Sequence, residues 1–210
     1  MSKSSYIHEV VPGSPGGPLL FTFHGTGGDE RQFLGLAREL LPTTTTIVSP
    51  RGDVSEHGAA RFFRRTGEGV YDMDDLARAT DKMAGFVKAH VAAEKPSRVL
   101  AFGYSNGANI LASVLFANPG LFDAVVLMHP LIPFQPRIEG SLEGRPILIT
   151  AGQRDPICPP NLTHRLESWL ADAGAAVTTH WHPGGHELRP DEVAAAAQHF
   201  AAVKSERSPS

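Results

Sequence analysis

Residues 103–107 read Gly-Tyr-Ser-Asn-Gly, and the elements on either side of this G-x-S-x-G stretch decide the fold class. The apolar run 98–102 before it predicts a buried strand, and the apolar run 108–116 after it predicts a buried helix. A sharp turn between such a strand and helix can hold a serine hydroxyl above the C-terminal edge of a sheet. Ser105 is therefore a candidate nucleophile, with a plain glycine-rich turn as the alternative interpretation.

Strands and helices are predicted to alternate along most of the chain. The predicted strands are 6–11, 19–23, 44–48, 98–102, 124–128, 146–150 and 177–181. The predicted helices are 30–41, 72–95, 108–116, 161–173 and 190–203. An antiparallel pair at the start, followed by this alternation, predicts an α/β fold with a mostly parallel sheet of about seven strands and helices on both faces.

Two segments lack the periodicity of a helix or strand. Residues 49–71 follow a strand, so we expect a long loop at the sheet edge that carries Ser105. The segment between strands 124–128 and 146–150 is rich in proline and glycine and is too short for a folded cap domain.

The composition is that of an ordinary globular protein and argues against several classes of function. The chain has 210 residues, of which 41% are hydrophobic, and this predicts one domain over 1–210 with a polar, disordered tail at 204–210. The net charge is -3 with both signs interleaved, so no nucleic acid is expected as a partner. No apolar run resembles a signal core or a membrane span, which predicts no membrane association and a cytoplasmic location. The single cysteine, Cys158, excludes an internal disulfide bond and is expected to be inert packing.

A serine nucleophile needs a base that takes its proton and an acid that orients the base. His186 lies on the loop between the last predicted strand and the last helix, where the order Ser, Asp, His places the base. Asp155 follows strand 146–150 and is the candidate acid, with an Asp-Pro turn as the alternative. Asp123 and Asp172 are weaker candidates because they fall at the wrong ends of their elements.

Other histidines have alternative interpretations. His180, His182 and His186 form an H-x-H-x-x-x-H pattern that could bind a metal ion, but no further cysteine or histidine cluster supports it, so no metal is expected. His24 follows a strand, and structural support of its loop is the favoured role. For His129, lining the substrate pocket, packing in the core and exposure at the rim all stay open.

Two backbone amides are expected to stabilise the oxyanion of the tetrahedral intermediate. One is the N–H of Asn106, directly after the candidate nucleophile, and the other is the N–H of Thr26 in the glycine-rich loop after strand 19–23. The alternative for that loop is phosphate binding, but neither a P-loop lysine nor a G-x-G-x-x-G spacing follows. Nucleotide binding is therefore not expected.

The substrate pocket is the least determined part of the prediction. The patch 61–65 reads Arg-Phe-Phe-Arg-Arg and is either a solvated loop face or a pocket wall in which an arginine meets a polar or anionic substrate group. The candidate pocket residues are His24, Phe62, Phe63, Arg64, His129 and Ile157.

Four motifs together resemble a known family. They are His24-Gly25-Thr26-Gly27-Gly28-Asp29, residues 103–109, Gly152-Gln153-Arg154-Asp155-Pro156 and Gly184-Gly185-His186. This set, spanning about residues 18–203, resembles the phospholipase/carboxylesterase family of α/β-hydrolases, which includes acyl-protein thioesterases and small bacterial carboxylesterases. The segment from Pro50-Arg51-Gly52 to 61–65 is similar to the bacterial branch associated with hydroquinone stress.

The resemblance implies an α/β-hydrolase fold without a cap, acting on short esters or thioesters without a cofactor, often as a homodimer. Thr26 stands where the thioesterase branch usually has an aliphatic residue, which argues against a long-chain acyl-protein substrate. The favoured hypothesis is a serine carboxylesterase for small, short-acyl esters. The alternatives are an acyl-protein thioesterase or lysophospholipase, and a non-catalytic binding protein on the same scaffold.

Overall fold

The computed structural model describes residues 2–203, so the tail predicted at 204–210 lies outside the described residues. The described strands are β1 (His8–Val11), β2 (Leu19–Phe23), β3 (Thr46–Pro50), β4 (Val54–Glu56), β5 (Ala59–Arg61), β6 (Arg65–Gly67), β7 (Val70–Tyr71), β8 (Val99–Tyr104), β9 (Ala124–Met128), β10 (Pro146–Gly152) and β11 (Ala176–His182). The α-helices are α1 (Leu34–Leu40), α2 (Met73–Glu94), α3 (Asn106–Ala117), α4 (Pro160–Asp172) and α5 (Pro190–Ala202), after a short 3-10 turn at Lys3–Ser5.

Seven strands form the central sheet in the order β1-β3-β2-β8-β9-β10-β11. All neighbouring pairs are parallel except β1 with β3. Helices α2, α3 and α4 pack with one apolar cluster, and α1 and α5 with the other, so both faces of the sheet are covered. Parallel strands that are covered in this way are buried throughout, and β2 and β9 have every residue buried.

The predicted pairing of the first two strands was wrong. β1 pairs antiparallel with β3, with Val10 opposite Val48, and β2 lies on the other side of β3 and parallel to it. The turn between β1 and β2 is tied to the start of β3, because the Gly13 amide donates to Thr46 Oγ1 and the Ser14 amide donates to the Thr44 carbonyl. The connection from β1 to β2 therefore runs past the start of β3, and β1 and β2 do not form a hairpin.

The predicted loop 49–71 contains two small hairpins, β4–β5 and β6–β7. Their strands are two or three residues long, which is too short for a periodic pattern to show in sequence. The β4–β5 turn has two residues in the left-handed region, His57 (φ 52) and Gly58 (φ 90), as a tight hairpin turn requires. This segment positions one wall of the candidate site.

Other expected elements were confirmed with shifts of a few residues at their ends. The Asp72 side chain caps α2 by accepting from the Asp75 amide, and Lys95 (φ 45) ends the helix before Pro96. Helix α1 begins only at Leu34, later than predicted. Among the described helices, none is both long and apolar enough to cross a bilayer.

The arrangement is an α/β-hydrolase fold. No helix or strand is present between β9 and β10, and the described chain has no cap domain over the sheet edge. The loops after β2, β8, β9, β10 and β11 meet at the C-terminal edge of the sheet, where open α/β sheets place their sites.

Candidate active site

Ser105 lies at the turn between β8 and α3 in a backbone conformation that side chains rarely adopt. Its φ is 52° and its ψ is -116°. The two glycines of the motif allow this turn, because a Cβ on Gly103 would overlap with the backbone of Gly107, and a Cβ on Gly107 would overlap with the carbonyl oxygen of Phe23. The Ser105 amide is held by the Met128 carbonyl at 2.9 Å, which fixes the turn to the next strand.

Three side chains from three different loops converge at this edge. His186, between β11 and α5, places Nε2 2.9 Å from the Ser105 Oγ. Its Nδ1 lies 2.7 Å from Oδ2 of Asp155, which follows β10. Since the carboxylate can only accept, Nδ1 carries a proton and Nε2 presents its lone pair to the serine hydroxyl when His186 is neutral. The structure thus brings together the predicted nucleophile, base and acid.

Asp155 is buried and held by four donors. Its Oδ1 accepts from the amides of Ile157 and Cys158, both at 2.9 Å. Its Oδ2 accepts from His186 and also from Nδ1 of His129 at 2.9 Å. Burial by itself raises the pKa of Asp155, but the hydrogen bonds from His129 and His186 outweigh it and hold the pKa well below its ordinary value. Asp155 is therefore a carboxylate at neutral pH.

The Tyr104 side chain holds the loop of the base by a hydrogen bond to the main chain of His186. Its hydroxyl donates to the carbonyl oxygen of His186 at 2.6 Å, and the two rings lie 5.3 Å apart. Burial raises the pKa of Tyr104 to about 12, so the hydroxyl keeps its proton. Tyr104 was not among the predicted site residues, since the second position of G-x-S-x-G carries no signal for a contact 82 residues away.

The two expected oxyanion donors lie beside Ser105. Thr26 and Asn106 both line the cleft at the serine. In the part of the chain that the structure describes, neither backbone amide donates to another protein group. The Thr26 loop is held in place by Arg61, whose Nη1 donates to Thr26 Oγ1 at 2.7 Å.

The cleft at Ser105 is small, with about 30 Å³ of free volume. It is lined by Thr26, Arg61, Arg65, Glu68, Gly69, Tyr71, Ser105, Asn106, Asn109, Leu131, Ile157 and Cys158. A larger groove of about 240 Å³ lies beside α2 and α3, next to Met73, Phe116 and Phe134, but contains none of the three converging side chains. We place the site at the smaller cleft because it contains Ser105, whose Oγ contacts His186.

Most of the expected pocket residues do not line this cleft. His24 is buried under its loop, where Nδ1 donates to the Gly25 carbonyl and Nε2 accepts from the Gly52 amide, so it has the structural role favoured from sequence. Burial lowers the pKa of His24. Phe62 is fully buried with its ring 4.6 Å from His24.

The rest of the patch 61–65 divides in an unexpected way. Phe63 is fully buried against Tyr71, and the exposed Arg64 side chain lies toward Asp75, so neither is a wall of the cleft. The two arginines that do line it are Arg61 and Arg65. The pairing register of two short hairpins determines which of these five adjacent side chains face the cleft. No periodic pattern in the sequence indicates that register. Of the expected pocket residues, only Ile157 lines the cleft.

His129 is not a pocket residue either, because it is fully buried behind Asp155. Its backbone has a φ of 50°, and its Nε2 lies 2.9 Å from Oε1 of Glu192, which is also fully buried. Burial by itself lowers the pKa of His129, but its contacts with Asp155 and Glu192 outweigh it and raise the pKa to about 9. The contact with His129 likewise lowers the pKa of Glu192 against the effect of burial. Glu192 was interpreted from sequence only as an acid in the first turn of α5.

Within residues 2–203, two sets of side chains are close enough to hold a metal ion. They are His129, Asp155 and His186, and His129, His182 and Glu192. The set H-x-H-x-x-x-H does not assemble, because His180 lies apart and contacts Asp191 at 3.2 Å. In the first set, each ring nitrogen already faces a protein group, so these contacts account for the arrangement as a hydrogen-bond network.

With this geometry in place, the family can be assigned by comparison. Residues 59–205 match the family model described as the dienelactone hydrolase family. The chain belongs to the dienelactone hydrolase family. Within the curated proteins, MhqD from Bacillus subtilis (strain 168) is 37% identical to this dienelactone hydrolase family member over 184 residues, which cover 87% of this chain and 92% of MhqD.

Solved structures share the fold of this dienelactone hydrolase family member over nearly its full length. The protein Atu2452, of unknown function, from Agrobacterium tumefaciens is 58% identical with a TM-score of 0.92, covering 97% of this chain and 100% of that one. The Bacillus cereus carboxylesterase is 37% identical with a TM-score of 0.89, covering 96% of each chain. The expected resemblance to bacterial carboxylesterases is confirmed, and the chain is a member of a hydrolase family with an esterase among its structural relatives.

Proposed function

We propose that this protein is a serine carboxylesterase that hydrolyses small, short-acyl carboxylic esters through an acyl-enzyme intermediate. The observation that carries this proposal is the continuous contact from Ser105 Oγ to His186 and from His186 to Asp155, at 2.9 and 2.7 Å. This is the geometry that activates a serine hydroxyl for attack on a carbonyl carbon. Membership of a hydrolase family and the likeness to a carboxylesterase support the same reaction class.

In the first half-reaction, Ser105 attacks the ester carbonyl while Nε2 of His186 takes the hydroxyl proton. Asp155 accepts the Nδ1–H and stabilises the imidazolium that forms. The amides of Thr26 and Asn106 donate to the oxyanion, and the N-terminus of α3 adds a favourable field. The intermediate collapses as His186 returns the proton to the leaving alcohol, which leaves an acyl group on Ser105.

In the second half-reaction, water replaces the alcohol. His186 removes a proton from a water molecule, the resulting hydroxide adds to the acyl carbon, and the same two amides donate to the second oxyanion. As this intermediate collapses, the bond between the acyl carbon and Ser105 Oγ breaks, His186 returns its proton to Oγ, and the carboxylic acid is released. No cofactor takes part in these steps.

The cleft favours small substrates over long acyl chains. Its free volume is about 30 Å³, and Arg61, Arg65 and Glu68 bring charge to its wall. A long acyl chain needs a continuous apolar surface, which a wall with three charged side chains does not offer. This argues against the thioesterase and lysophospholipase alternatives. A homodimer and a cytoplasmic location stay predictions from the sequence.

The test is hydrolysis of p-nitrophenyl acetate, butyrate and laurate by the wild type and by Ser105→Ala, with labelling by a fluorophosphonate probe. We expect the highest kcat/KM for acetate or butyrate, loss of turnover in Ser105→Ala, and labelling of the wild type only. Undiminished turnover by Ser105→Ala would contradict the mechanism. A preference for laurate would favour the lysophospholipase class, and a wild type that is neither active nor labelled would favour a binding protein.

A further inference from the structure

The contacts at the active site continue beyond the three predicted residues into the protein interior. Oδ2 of Asp155 accepts from two imidazoles, His186 on the solvent side and His129 on the interior side. The second imidazole then meets a second carboxylate, since Nε2 of His129 lies 2.9 Å from Glu192 Oε1. The side chains of Asp155, His129 and Glu192 are fully buried.

His129 has a carboxylate oxygen 2.9 Å from each ring nitrogen, and this favours its charged form. An ionised carboxylate can only accept a hydrogen bond, whereas a neutral imidazole donates from one nitrogen alone. Both contacts are favourable at once only when His129 carries two ring protons and a positive charge. A neutral His129 would instead leave two buried carboxylates without a positive charge between them.

Three other side chains pack around His129 besides His186. Nδ1 of His182 accepts from the Gly184 amide at 3.0 Å, and its Nε2 lies 3.4 Å from Glu192 Oε2 and 3.5 Å from Nε2 of His129. A proton on His182 Nε2 can be donated to Glu192, whose two oxygens face the two imidazoles. Tyr104 and Cys158 also adjoin His129, and burial raises the pKa of each, so both are neutral near pH 7. The remaining neighbour is His186 itself, with its ring 5.1 Å away.

The net charge of these buried side chains sets the electrostatic environment of the proposed base, His186. Asp155, His129 and Glu192 together have a net charge of one negative, which the imidazolium of His186 offsets when it forms. Without the charge on His129, the Asp155 carboxylate beside His186 and the Glu192 carboxylate behind His129 would have no positive charge between them, and their combined field would favour the imidazolium form of His186. A base that is already protonated cannot accept the Ser105 proton.

We propose that His129 is a positioning residue for the esterase reaction, held as an imidazolium between Asp155 and Glu192, where it orients the Asp155 carboxylate and offsets the buried negative charge beside His186. This role depends on the proposed function only in its effect on turnover. The charge of His129 can be measured in the absence of any substrate.

The test is His129→Asn, because the asparagine amide can still donate to Asp155 while the positive charge is removed. For p-nitrophenyl acetate we expect the acid limb of the kcat/KM profile to move to higher pH by about one unit, as loss of a neighbouring charge implies. The plateau at high pH should fall less than tenfold. His164→Asn is the matched control, since His164 also contacts a glutamate, Glu167 at 2.6 Å, but on the exposed face of α4.

An NMR measurement on 15N-histidine protein reads the charge directly. We expect one imidazole to keep both ring protons at pH 8 in the wild type and in Ser105→Ala, and that signal to be absent from folded His129→Asn. In Glu192→Gln, the same signal should be lost at a pH at least one unit lower than in the wild type. An unmoved acid limb in folded His129→Asn, or a wild type whose imidazoles are all neutral at pH 8, would overturn the role of His129. An inactive wild type that still shows the charged imidazole would instead reject the esterase function alone.

Discussion

The phenol of Tyr104 and the carbonyl of His186 are joined by a 2.6 Å hydrogen bond across 82 residues of sequence. The neighbour of the proposed nucleophile thereby holds the loop of the proposed base. We predict that Tyr104→Phe lowers kcat/KM by about tenfold, because the His186 ring gains freedom at the serine. The free energy of unfolding should fall by about 1 kcal/mol through loss of one hydrogen bond. Esterase kinetics and urea unfolding measure the two effects, and unchanged values of both would show that the bond is dispensable.

Asp155→Asn should reduce kcat by about 10³- to 10⁴-fold, because the amide side chain can donate to Nδ1 and favour the wrong tautomer of His186. KM for p-nitrophenyl acetate should change little, since Asp155 does not line the cleft. The matched control is Asp172→Asn, a change at the exposed end of α4, which should leave kcat within twofold. A loss of less than tenfold in Asp155→Asn would assign the acid to another residue.

Gly107→Ala is expected to destabilise the fold by about 3 kcal/mol or more and to abolish activity. The new Cβ would overlap with the backbone carbonyl of Phe23, so either β2 or α3 must shift. Gly120→Ala provides the control, because a Cβ there meets nothing within 4 Å. Urea unfolding followed by fluorescence of Trp169 and Trp181 measures both variants, and equal stabilities would argue against close packing at the elbow.

The contribution of His129 to stability should decrease as the pH rises. Its pKa is raised in the folded protein from 6.5 to about 9, so its charged form stabilises the fold fully below pH 6.5 and loses this effect toward pH 9. The difference in unfolding free energy between the wild type and His129→Asn should therefore shrink by about 3 kcal/mol over that range, at about 1.4 kcal/mol per pKa unit. Urea unfolding at intervals from pH 6 to 9.5 measures it, and a difference that stays constant would indicate that His129 is neutral.

Much of the fold could be predicted because each signal was local. The apolar runs around Ser105 and the alternation of strands and helices report burial along short stretches of chain. The chain order of the three loops was enough to choose Asp155 over Asp123 and Asp172, because the C-terminal ends of parallel strands share one edge. The pairing of β1 was missed because strand partners are set by long-range contacts, here between the turn at Gly13 and the start of β3.

The walls and supports of the candidate site were mostly missed. Arg61 and Arg65 line the cleft whereas Phe62, Phe63 and Arg64 do not, because two very short hairpins determine which side chains face the cleft. Glu192 looked like a helix-start acid, and it does accept from the Arg189 amide at 2.7 Å, but its other oxygen faces His129. The contact of Glu192 with His129 adds no sequence pattern beyond that of an acid at the start of a helix.

Local residue patterns were enough to predict the α/β-hydrolase fold and the loops that carry Ser105, Asp155 and His186, because hydrophobic periodicity and turn chemistry act over a few residues. The groups behind and around those side chains became apparent only in the folded chain: the buried pair His129 and Glu192, the hydrogen bond from Tyr104, and the small charged cleft. Those contacts join residues tens of positions apart, and their energies depend on distance, burial and charge, which exist only once the chain has folded.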